Sequence, residues 1–134
     1  VTGRQDRFEE ALLGQGFSRP IAPGHTPLGW THPELRLGFE VVSDTLLDGL
    51  AERQRVRLVE FDPDGTIAVI SLEDMIADRM GQFASGTAPE MLEQARILFA
   101  LHPDADRAYL DRRIHQETFG DHGIASLEEG DGEV

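Results

Sequence analysis

The stretch SLEDMIADRM, residues 71 to 80, sets out a helix with a chemical problem. Leu72, Met75, Ile76, Met80 and Phe83 recur at offsets that place them on one helical stripe, and Arg79 falls in the middle of it. Taking a guanidinium out of water costs several kcal/mol unless carboxylates or carbonyls meet its donors. Asp74 and Asp78 project from the opposite flank of the same helix and are poor partners. Two readings stand. Either Arg79 pairs with a carboxylate from a neighbouring sheet or snorkels to the rim of the interface. Or it lines a cleft between sheet and helices, where it would bind an anionic ligand such as a phosphate.

Three further positions invite the same question. Glu40 sits midway along the alternating segment LRLGFEVVS, on the side away from Leu37, Phe39 and Val41, with Arg36 two places away along the same face, four residues earlier. That is either an exposed, ion-paired sheet face or part of a site. Trp30, the sole tryptophan, lies in a Pro/Gly-rich loop, where it could stack on a base or fold back on the sheet. The five histidines are scattered, with no spacing suited to zinc, and His102 reads as a core histidine hydrogen-bonded at a helix end. No nucleophile-elbow sequence or Gly-rich phosphate loop occurs. The segment DADRAYLDRR, 104 to 113, reads as a solvated helix face carrying local ion pairs.

The elements that must position these residues follow from periodicity. Thr2 and Gln5 suggest a capping box for a first helix carrying Phe8, Ala11 and Leu12 on one face, and Gly16 is placed to end it. A strand is expected over 35 to 43. VRLVEF and TIAVI around DPDG predict a hairpin. Ser71 and Asp74 predict the start of a helix running to about Ala84. Thr87 and Glu90 predict a second, MLEQARILFALH, apolar around most of its circumference and so expected at the centre. A third spans ADRAYLDRRIHQETF. The order predicts an α+β domain over 1–120, with a small mixed or antiparallel sheet in 1–70 and three helices in 71–120. Residues 121–134 are expected to form a flexible acidic tail.

Composition narrows the functions. The 134 residues suit one domain, and the absence of cysteine rules out disulfides and thiolate metal sites. A net charge of −13 disfavours general nucleic-acid coating. All twelve basic residues are arginine, so lysine chemistry is unavailable. No apolar run approaches a membrane span, and a soluble cytoplasmic protein is expected. The opening on Val1 is expected of a piece of a longer protein.

The order of "ALLGQGF", "LGFEVVS", "VISLEDMIADRMGQ" and "EQARILFALHPDADRAYLDRR" resembles the nucleotidyltransferase-like superfamily, especially bacterial minimal and abortive-infection-type members, over roughly residues 5 to 117. The resemblance implies an α+β fold with Mg²⁺-dependent nucleotidyl transfer. It puts Glu40 on the strand bearing the third metal-binding acid, as catalytic and metal ligand. It makes Arg79, with Arg36 and Trp30, substrate-binding near nucleotide phosphates. The family's Gly-Ser turn and D-x-D strand, which should precede the first helix, are not in this chain, and Glu replaces the usual Asp. Transfer is therefore expected only with such a segment upstream. The alternative is a non-catalytic acidic interaction module, such as a toxin–antitoxin-type partner, whose binding would weaken with salt. A metabolite-binding or structural domain with its site under the Pro/Gly loop is a third.

Overall fold

Ser71 stops the preceding strand and starts a helix. Its hydroxyl accepts a hydrogen bond from the amide of Asp74 at 3.0 Å and donates one to the Asp74 carboxylate at 2.7 Å. This reciprocal cap satisfies one of the orphan donors of the first turn. The computed structural model describes residues 2–19, 29–41 and 46–129, and its contacts divide the chain into two compact units, 1–44 and 45–134. One continuous α+β domain over 1–120 was the expectation from sequence. The coarse class holds, since helices and small antiparallel sheets are both present.

The first unit contains α1 (Thr2–Gly14) and an antiparallel pair, β1 (Trp30–His32) and β2 (Leu37–Phe39). Gly16 takes φ +92°, and the amides of Phe17 and Gly16 bond back to Leu12 and Leu13, which closes the helix. Leu12, Phe17 and Trp30 form a small core with Val41 against it. The strand expected over 35–43 is shorter than its alternation suggested. Residues 33–36 turn instead, because the His32 ring accepts the amides of Glu34 and Leu35 at its Nδ1, and Arg36 sits at φ +54°. The expected strand's last residues, 42 and 43, and most of the Pro/Gly loop, including His25, lie outside the described residues.

The second unit begins with two short 3-10 turns (Leu46–Gly49 and Arg53–Arg55), then the expected hairpin, β3 (Arg57–Phe61) with β4 (Gly65–Val69). The two strand pairs form separate two-stranded sheets, where a single sheet was expected. Helices α2 (Leu72–Ala84), α3 (Met91–Leu101), α4 (Arg107–Glu117) and α5 (Ala125–Glu128) follow. The core joins Ile76, Ala77 and Met80 of α2 to Ala95 of α3, Leu110 and Ile114 of α4, and Leu127 of α5. Helices α2 and α4 come close at Gly81, where a Cβ would stand 3.2 Å from that of Glu117.

Three expectations change here. Helix α3 starts at Met91, as MLEQARILFALH suggests, but the Thr87–Glu90 capping box does not form, since Glu90 is itself the capping residue and makes no side-chain cap, and the helix is not central. Only Ala95 among its residues is fully buried, and Leu101 is 68% exposed. The supposed flexible tail is folded as far as residue 129, because Leu127 supplies a missing piece of the core. And α2 buries a different arc. At about 100° per residue, Met80, Ile76, Ala77 and Asp74 define a face turned by roughly a third of a circle from the Leu72–Met75–Phe83 side. Arg79 therefore lies at the edge of the buried face, not in its middle.

Candidate functional site

The buried charges of the second unit are Asp74 and Arg113, each 1% exposed. Helix α4 delivers Tyr109 and Arg113 one turn apart, beside the apolar ridge of Leu110 and Ile114. Asp106 caps that helix by accepting the Tyr109 amide at 3.1 Å. Arg113 Nε then donates to Asp74 Oδ1 at 2.6 Å, and its two terminal nitrogens donate to Glu117 at 2.7 Å and Gln116 at 2.9 Å. The Tyr109 hydroxyl points at both Asp74 oxygens, at 2.8 and 2.9 Å, and accepts the Glu52 amide at 3.2 Å. With the Ser71 hydroxyl on Oδ2, the Asp74 carboxylate is met by three donors, Arg113, Ser71 and the single Tyr109 proton shared between its two oxygens. No buried side-chain nitrogen or oxygen among the described residues lacks a partner.

The electrostatics follow from this packing. Burial opposes the charge on Arg113, but Asp74 and Glu117 outweigh it, and its pKa stands above the ordinary arginine value. Burial also raises the Tyr109 phenol, and the Asp74 carboxylate adds to the effect. Outside, Glu52 grips Arg55 and Arg112, both at 2.9 Å, while the Arg55 guanidinium lies 3.8 Å from the Tyr109 ring centroid. The Asp106 carboxyl is held below its usual range, first by the Tyr109 amide and then by Arg55.

Tyr109 is the only tyrosine, so its ionisation can be followed directly by phenolate absorbance. The native protein should titrate above the ordinary tyrosine value of about 10, and the urea-unfolded chain at that value. Because the folded pKa is the higher one, the neutral phenol's contribution to stability is complete below the unfolded value. It is lost as pH rises through the folded one. A normal pKa in the folded protein would contradict the buried contact with Asp74.

In this carboxylate–guanidinium–phenol cluster every buried polar side-chain atom already has a protein partner. The cluster is a structural keystone joining α2, α4 and the Glu52 turn. Beside it lies an open cavity of about 240 Å³ lined by Arg55, Arg57, Ser71, Glu73, His102 and Asp104. Most of these groups are engaged with neighbours. Arg55 holds Glu52 and Asp106, Glu73 accepts the Asp106 amide at 2.8 Å, and His102 Nδ1 contacts the Leu98 carbonyl at 2.8 Å.

The residues singled out from sequence are distributed differently. Trp30, Arg36 and Glu40 belong to the first unit. Trp30 is buried on Leu12 and Phe17, Arg36 is exposed in the β1–β2 turn, and Glu40 is exposed just past the far end of β2. The pairing of Arg36 with Glu40 along one strand face does not form, because Arg36 belongs to the turn. Arg79 belongs to the second unit, half-buried, and donates to the Gln94 amide oxygen at 3.3 Å and the Met75 carbonyl at 3.4 Å. The stripe thus tolerates the guanidinium through neutral acceptors at its rim. Glu40 is a lone carboxylate where Mg²⁺ needs several oxygen ligands, and no cluster of three His, Asp or Glu able to hold a metal occurs among the described residues. The described residues do not fit that ion.

Sequence reading missed Asp74, Tyr109 and Arg113. The available signal was the contiguous arc Tyr109, Leu110, Arg113, Ile114 on α4, which places a polar ridge beside an apolar one. No helix among the described residues is long and apolar enough to cross a membrane. No protein-family model, curated protein or solved structure matches the chain.

Proposed function

We propose that this chain is a non-catalytic interaction module that holds a basic partner protein against the β3–β4 hairpin. The observation that carries the reading is the hairpin's surface. Val59, Phe61 and Ile67 share one face by register, Phe61 and Ile67 are each about half exposed, and Leu58 on the other face is 73% exposed. A two-stranded hairpin is marginal without further strands or packing, and a clustered exposed apolar face marks a contact site.

Charge supplies the partner's chemistry. Residues 45–134 hold nineteen Asp and Glu against eight Arg, a formal net charge of −11. Six of those arginines are held by neighbours inside the unit, namely Arg55, Arg79, Arg96, Arg107, Arg112 and Arg113. Of the hairpin's acids, Asp62 and Asp64 lie in its turn, at the Phe61 end of the apolar face, and Glu60 lies on the opposite face. An acidic surface around an apolar patch suits a basic protein, the toxin–antitoxin type of pairing being one instance. Nucleotidyl transfer rests on the resemblance alone, and within SLEDMIADRM the residues Ser71, Asp74 and Arg79 are engaged in capping, pairing and rim contacts.

The test compares the wild type with the F61S/I67S double variant as bait in extracts of the source cells. Both positions are exposed, so circular dichroism and urea midpoint should be unchanged. The expected result is a basic protein retained by the wild type, with retention reduced at least tenfold in the variant. Retention should also fall steeply between about 0.05 and 0.5 M salt. Retention indifferent to both changes would overturn the reading.

A further inference from the structure

The two edges of the hairpin are chemically unequal. Strand β3 carries Arg57 and Glu60, charges of the kind that guard an edge against pairing. Strand β4, Gly-Thr-Ile-Ala-Val, has no charge and no proline. Its outer edge pairs with no strand among the described residues. An unguarded five-residue edge next to an exposed apolar face is a template for another strand.

Resting on the interaction reading above, we infer that β4 accepts an extended segment of the basic partner as a third strand. Backbone hydrogen bonds would supply affinity, and alternate side chains the specificity. The pattern of that segment can be read from the register. Arg57 pairs with Val69, Val59 with Ile67 and Phe61 with Gly65, so one face is apolar at Val59, Phe61, Ile67 and Val69. On the opposite face Leu58 pairs with Ala68 and Glu60 with Thr66. Alternate residues of the incoming strand therefore extend the apolar face and should be Val, Ile or Leu. The intervening ones lie beside short Thr66 and Ala68. Lys or Arg there can reach over Thr66 toward Glu60, two strand spacings or roughly 10 Å away. A second copy of this chain is a poorer occupant: β4 brings no cation to Glu60, and two chains of charge −13 repel.

The experiment uses fluorescence anisotropy with the full chain and a labelled peptide alternating Lys with Ile and Val over seven residues. Two N-methylated versions carry the methyl groups on either the Lys or the apolar positions. Amides of alternate residues point to one side of a strand, so only one methylation pattern should abolish pairing. The expected result is binding of the parent peptide, at least tenfold weaker for one methylated version and nearly unchanged for the other. A Glu/Ile peptide should not bind, and Glu60→Lys should weaken the Lys peptide at least fivefold. Equal effects of both methylations, or no binding of the parent, would overturn the strand addition. If the natural partner's retention still depends on Phe61 and Ile67 in that event, the interaction reading survives without it. If that dependence is also missing, both fall.

Discussion

Replacing Asp74 with alanine should destabilise the second unit by roughly 3–5 kcal/mol, read as a large drop in the urea midpoint by circular dichroism. The cost comes mainly from what is left behind. Arg113 would keep its charge at 1% exposure with Glu117 and Gln116 as its remaining partners, and Tyr109 and Ser71 would each lose an acceptor in the same pocket. Domains commonly hold only about 5–15 kcal/mol in reserve, so the variant should be largely unfolded at modest denaturant. Asp78→Ala, on the same helix but engaged only with Gln82, should stay within about 0.5 kcal/mol. The triple change Asp74→Leu, Arg113→Met and Tyr109→Phe removes donors and acceptors together and should recover most of the loss. A cost below about 1 kcal/mol for Asp74→Ala would show that the cluster is not the keystone described above.

That cluster explains which parts of the fold were legible in sequence. Most signals carried within a few residues came through: the Ser71–Asp74 cap, the DPDG hairpin and the Gly16 terminus are each local, and each formed, whereas the Thr87–Glu90 box did not. The buried face of α2 was not local. Periodicity weighs residues by hydropathy, so it centred the stripe on Leu72, Met75 and Phe83 and counted Asp74 as solvent-facing. What turned the helix was a partner 39 residues away, since Arg113 makes Asp74 cheap to bury and lets Ala77 and Gly81 approach α4. The same distance hid Arg113 in a run of charges that looks solvated. In the first unit the error was of another kind. Alternation through Leu35 and Arg36 predicted strand, but the His32 ring captured two amides and made a turn there.

The charge pattern has a similar two-level structure. The formal −13 says only that the surface is acidic. The pairings show that six of the second unit's eight arginines are held by groups of the same unit, although only Arg113 is buried, so its excess acids are left without a cation beside an apolar hairpin. Exposed ion pairs such as Arg55–Glu52 add little stability each. Together, however, they take positive charge away from the surface that a basic partner would meet.

Helix α3 offers the second large effect. By sequence it is the most apolar helix of the chain and was expected at the centre. In the fold Leu110 of α4 is fully buried between helices, while Leu101 of α3 points outward. Leu110→Ala should therefore cost about 2–5 kcal/mol, combining lost burial with the cavity left among Ile76, Met80 and Ile114. Leu101→Ala should stay within about 0.5 kcal/mol, because its side chain is already in water. Urea titrations of the two variants, with equal m-values to show that the same surface unfolds, give the comparison. If Leu101→Ala proved the costlier substitution, α3 would have to pack as its hydropathy suggests, and the core would be centred on it instead of on α2 and α4. Equal and small costs would mean that neither helix is tightly packed, and that the Asp74 pair alone holds the α2–α4 contact.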